Sequence, residues 1–136
     1  VGPGDVLVDV RAAGVNPLDV MIRNGEFKHV LNYPRPFTLG HDVSGTVTEL
    51  GADVGGFKVG DAIWARPRDH RIGTFAESIA IDATDIGLKP ASLSFAEAAA
   101  VPLVALAAWQ AGPRRRYEMT RSTNCWAGMS NAVCRS

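Results

Sequence analysis

Cysteine is nearly missing from this chain of 136 residues: Cys125 and Cys134 are the only two, both close to the end. That scarcity argues against a disulfide-stapled scaffold and a cysteine-built metal cluster, and it makes a reducing, cytoplasmic setting the expectation. Net charge is missing as well, since 14 basic side chains balance 14 acidic ones. General electrostatics therefore offers no reason to expect nucleic acid or a membrane surface as partner. Long apolar runs are also lacking. The one candidate, "AAAVPLVALAAWQA", contains Pro102 and is too short for a hydrocarbon layer of about 30 Å, so it is expected to be a buried helix.

The chain does hold a clear β pattern. A length of 136 residues supports one domain with a hydrophobic core. In "DVLVDVRAAGVN", Val6, Val8 and Val10 alternate with Leu7, Asp9 and Arg11, the period of a strand with one buried face. "GHDVSGTVTELG" predicts a second long strand closed by Gly51. "DAIWA" and "TFAESIAID" predict a third and a fourth. Between them, "ADVGGFKVGD" reads as a glycine-rich connection that drops Val54, Phe57 and Val59 into the core.

Two helix starts are legible. Asn16 before Pro17 predicts an N-cap and first turn, Asp19 adds a negative charge there, and Gly25 suits a left-handed end. Ser94 and Glu97 stand at capping-box spacing ahead of the alanine-rich run. Beyond Ala111 the character changes, for residues 112–136 carry five basic side chains and one acidic. Arg114, Arg115 and Arg116 lack the stacking aromatics of a nucleic-acid module, so the segment is expected to be a solvated or disordered tail.

Taken in order, "AAGVNPLDVMIRNG", "GHDVSGTVTELGADVGGFKVGD", "GTFAESIAI" and "AAAVPLVALAAWQA" resemble the medium-chain dehydrogenase/reductase superfamily, in its zinc-independent quinone oxidoreductase branch. The resemblance covers residues 1 to about 111. It implies a mainly β fold: a GroES-like, partly open β-barrel with short helices. A C-terminal helix would lead into a Rossmann domain. No strand followed by G-x-G-x-x-G occurs in the sequence. The expected organisation is thus a GroES-like catalytic domain at 1–111, incomplete at its N-terminus, and an unmatched tail at 112–136 that is disordered or out of frame.

The resemblance also implies an activity: hydride transfer from NADPH or NADH to a quinone or an activated alkene, by a homodimeric parent protein without zinc. In zinc-dependent relatives a cysteine and the histidine of a Gly-His-Glu motif hold the metal. The cysteine position here is Asn16 and the glutamate position is Asp42. An amide is a poor substitute for a thiolate, so no metal ligand is expected. Asn16 is the expected catalytic donor to the substrate oxygen, in addition to capping its helix. Asp19 and Ala107 join it as cofactor-side candidates. Met21, Phe27 and His41 are assigned to the substrate pocket. Met21 and Phe27 lack the hydroxyls that relatives place there, so solvent would supply the proton.

Two other readings stay open. One is a truncated barrel with no activity of its own; its helix would present Leu103, Leu106 and Trp109 as uncovered apolar surface. The other, less favoured, is a fragment of a zinc-dependent alcohol dehydrogenase.

Overall fold

Strong β-formers at alternating positions place the longest strand first. The computed structural model describes residues 1–31 and 33–111. The arginine cluster and both cysteines lie outside those residues. Strand β1 spans Asp5–Gly14, β2 Asp42–Leu50, β3 Ala62–Ala65, β4 Ser78–Asp82 and β5 Ile86–Leu88. They form one sheet in the order β4-β1-β2-β3-β5, antiparallel at every pairing.

The β1–β2 register runs from Val6 opposite Leu50 to Gly14 opposite Asp42, with irregularities between Leu7 and Val8 and between Val10 and Ala12. Such bulges bend and twist a strand, which lets a sheet curl toward a barrel. Gly45 belongs to this close pairing: a Cβ built there would lie 2.2 Å from the Asp9 carbonyl oxygen. The concave face collects Val6, Val8, Val43, Val47, Ile63, Ala65, Ile81 and Ile86 into one core, with Val54 and Phe57 packed against it. Val59 was expected in that core but is exposed. It stands beside Gly60, at φ +93°, in a turn whose Gly60 N–H donates to the Val47 carbonyl of β2 at 2.8 Å while the Val59 side chain is left in solvent.

Helix α1, Pro17–Arg23, begins at Pro17 and ends before Gly25, whose φ of +80° fits the left-handed position read from the sequence. The apolar run is split. Helix α2 covers Phe95–Ala99 and α3 covers Pro102–Ala111, because Pro102 cannot continue the α2 hydrogen-bond ladder. The Ser94–Glu97 capping box forms as expected: Ser94 N–H donates to the Glu97 carboxylate at 2.8 Å, and Glu97 N–H donates back to the Ser94 hydroxyl at 3.2 Å. Trp64 and Ala98 form a second cluster, to which Leu106 adds a partly buried side chain.

The run is not a buried helix. Val104 and Trp109 are 53% and 61% exposed, since α3 is alanine-rich all round and only its first turns meet the sheet side of the domain. Among the described residues no helix is long and apolar enough to cross a membrane.

Candidate active site

The first turn of α1 and the first residues of β2 meet through buried polar side chains. Asn16, Asp19, His41 and Asp42 are each less than a tenth exposed. His41 Nδ1 lies 2.6 Å from Asp19 Oδ1. The other Asp19 oxygen accepts the Asn16 backbone N–H at 2.8 Å. Asn16 Nδ2 donates to Asp42 Oδ2 at 2.9 Å, and Asp42 Oδ1 accepts the Leu103 N–H at 2.9 Å. One chain of hydrogen bonds thus ties α1, β2 and the start of α3 together.

The expected cap at Asn16 forms as a capping box with Asp19, whose carboxylate closes the turn on the Asn16 backbone N–H at 2.8 Å. Through its Nδ2 the Asn16 amide also reaches Asp42, 26 residues away in sequence. Asp42 is the residue that sequence reasoning passed over. Its neighbour in the Gly-His-Asp stretch drew the attention, and its two donors come from distant segments.

Burial pushes the Asp42 carboxyl above its ordinary value, while the Asn16 amide, the Leu103 N–H and nearby His41 and Arg66 pull the other way. Both of its oxygens accept a hydrogen bond, so it orients the Asn16 amide. With Asp19 held at Nδ1, His41 has a fixed ring orientation, and its Nε2 is buried without a hydrogen-bond partner among the described residues. Gly40 makes that placement possible. Its φ is +109°, and a Cβ there would fall 2.2 Å from Thr74 Oγ1.

The remaining candidates divide. Phe27 lines a small cavity of about 80 Å³ with Ile22 and Tyr33. Met21 is half-buried on α1, and Ala107 is exposed on α3. Neither belongs to the hydrogen-bonded chain. Among the described residues no group of three His, Cys, Asp or Glu side chains could hold a metal ion.

Residues 2–106 match the alcohol dehydrogenase GroES-like domain. The chain belongs to that family. The GroES-like domain is 42% identical to the human NAD(P)H oxidoreductase RTN4IP1, mitochondrial, in a match covering 80% of this chain and 31% of the relative. It is 36% identical to the Arabidopsis thaliana NADPH-dependent alkenal/one oxidoreductase, chloroplastic, covering 72% of this chain and 27% of the relative. Among solved structures, the quinone oxidoreductase from Coxiella burnetii superposes with a TM-score of 0.70 at 35% identity, covering 80% of this chain and 35% of that one.

The chain therefore spans about a third of the proteins it matches, and its place in the medium-chain dehydrogenase/reductase superfamily, in the quinone oxidoreductase-like branch, stands. The cytoplasmic setting does not. The human, bovine and mouse relatives are all named as mitochondrial. Scarce cysteine reports on redox chemistry and carries no compartment address, which is why the inference failed.

Proposed function

We propose that the domain is the catalytic barrel of an NAD(P)H-dependent oxidoreductase that reduces a quinone or an activated alkene by hydride transfer. The observation that carries this reading is the Asn16 amide, buried and aimed by Asp42 at the position where a metal-dependent relative would place a thiolate. Two carboxylates and a histidine surround it. One amide hydrogen goes to Asp42; the other can meet a substrate oxygen on which negative charge develops. The names of the relatives, an NAD(P)H oxidoreductase, an alkenal/one oxidoreductase and a quinone oxidoreductase, agree with that chemistry.

The described residues do not fit zinc. His41 presents an oriented imidazole, and a carboxylate on its far nitrogen is what a zinc ligand often has. Its companions fail the test, because a catalytic zinc needs three protein ligands, Asn16 brings an amide in place of a thiolate, and the Asp42 carboxylate is turned to the Asn16 amide and the Leu103 N–H. We therefore propose a zinc-free site.

The described residues also do not fit the pyrophosphate of a nicotinamide cofactor. Every strand pairing is antiparallel, so the parallel strand ends and glycine-rich turn that cradle a dinucleotide are not formed here. A reduced nicotinamide, held by a second domain, would supply the hydride. The barrel's own residues orient and polarise the acceptor: Asn16 as donor, His41, Met21 and Phe27 on the acceptor side, Asp19 and Ala107 toward the cofactor. A domain at 1–111 within a homodimeric parent completes the proposal.

The test uses the full-length protein that carries this domain. It is expected to oxidise NADPH or NADH with a quinone or an enone after exhaustive chelation. Loss of activity with removal of stoichiometric zinc would overturn the zinc-free site, and no turnover with any such acceptor would overturn the reductase reading.

A further inference from the structure

We propose that the groove between the end of α1 and the 35–39 segment binds a carboxylate or phosphate carried on an apolar stem, and that this anion belongs to the acceptor. The proposal rests on the reductase reading above and narrows its substrate class.

Six arginines lie among the described residues, and four are paired. Arg11 meets Asp9, Arg66 meets Asp69, Arg68 meets Asp82 and Asp85, and Arg71 meets Asp5. The other two, Arg23 and Arg35, have no carboxylate partner among those residues. Arg23 only touches the Asn24 side-chain oxygen, at 3.4 Å. Exposed arginines are hydrated at little cost, so the lack of a partner would mean nothing if they were scattered. They are not: both line one groove of about 570 Å³ whose floor is Pro36, Phe37 and Leu39.

The groove is wide and open to solvent, so a ligand there would be held at one end rather than enclosed. Phe37 is held in place by Tyr33, their rings stacked at 5.1 Å between centroids. The adjoining cavity shares Arg35 and Phe37 and adds Lys28, and no carboxylate lines either space. An apolar floor flanked by two guanidinium groups matches an anionic head on an alkyl stem, because arginine binds carboxylates and phosphates through paired N–H donors.

The groove is carried by the same two segments as the buried polar chain. Arg23 lies one helical turn beyond Asp19, about 6 Å along the axis, and Leu39 leads directly into Gly40 and His41. An acceptor anchored at Arg23 and Arg35 would therefore lie beside the elements that hold His41 and Asn16.

The experiment uses the full-length protein and its Arg23→Gln and Arg35→Gln variants, with Arg68→Gln as a paired-arginine control. Calorimetric titration with octanoate and with octanol, without cofactor, reads the groove directly. Turnover of an enone bearing a terminal carboxylate, against its methyl ester, reads substrate choice with both NADPH and NADH. Octanoate is expected to bind the wild type and to weaken about tenfold or more in each groove variant, with a matching fall in the carboxylate-to-ester ratio of kcat/KM. Arg68→Gln should move neither.

Equal binding of octanoate and octanol, or a ratio near one in the wild type, would overturn the proposal. A change confined to the NADPH-to-NADH preference would assign the anion to the cofactor and overturn it too. Arginine-dependent octanoate binding without any reductase turnover would keep the groove and sink the reductase reading alone.

Discussion

Replacing Asn16 by Asp would set a second carboxylate where the amide now lies 2.9 Å from Asp42 Oδ2. Two buried carboxylates at that distance cannot both ionise, so the pair should hold a proton in the folded state. Such a proton is bound more tightly folded than unfolded, so the variant's stability should fall as pH rises from about 4 toward neutrality. Urea unfolding at pH 4.5 and pH 7.5 checks this, and equal losses at both would contradict it. Asn16→Ala instead leaves Asp42 with the Leu103 N–H alone and should cost about 1–3 kcal/mol. At this scale the sequence was only half legible. His41 and Asn16 stood out by position in their motifs. The carboxylate that orients the Asn16 amide did not, since Asp42 bonds to segments 26 and 61 residues away.

Elements with local signals were read well, and those made by distant partners were not. Period-two alternation was enough for β1, β2 and β3. Strand β5 has three residues, too few to show a period, and exists because Ile86 to Leu88 pair with β3. The fourth strand was expected from Thr74 but begins at Ser78. Gly73, Thr74 and Phe75 instead donate their N–H groups to the carbonyls of Gly40 and Leu39. The capping box of α2 was legible because its two members stand only three residues apart, and Ser94→Ala should cost about 1 kcal/mol of stability, read as a lower denaturation midpoint.

The start of β1 is clamped to the 3₁₀ turn at Asp69–Arg71. Arg71 holds the Asp5 carboxylate through two bonds, at 2.7 and 2.8 Å, and Gly2 N–H adds a third at 2.9 Å. The Arg71 fork first, then the Gly2 N–H, lowers the Asp5 pKa from 3.8 to about 2. A depressed carboxyl adds stability above its unfolded value, and loses it as pH falls from 3.8 through about 2. Arg71→Gln should therefore cost about 1–2 kcal/mol at neutral pH, the partly exposed arginine weakening the pair. Most of that loss should vanish by pH 2.5, which acid titration of wild type and variant in parallel would show.

For the whole molecule, the two tryptophans of the described residues make opposite predictions. Trp64 is 1% exposed in the sheet-side cluster and Trp109 is 61% exposed on α3. Trp64→Ala should cost about 3–5 kcal/mol and Trp109→Ala less than about 0.5 kcal/mol in the isolated domain. If a second domain covers α3, Trp109 emission should shift to the blue in the full-length protein. Identical emission in both would show that α3 stays open to water.

Strand β1 has one further consequence, which concerns time. It is translated before both of its neighbours, which arrive late: Val6 waits for Leu50 on one side, and Asp5 for Asp82 on the other. At about 5–20 residues per second, the β4 side of β1 remains an unsatisfied row of peptide groups for several seconds or more on the ribosome. During that interval the nascent chain exposes a valine-rich edge, and that edge, before any other part of the sheet, is where a holding chaperone or a second nascent copy would attach.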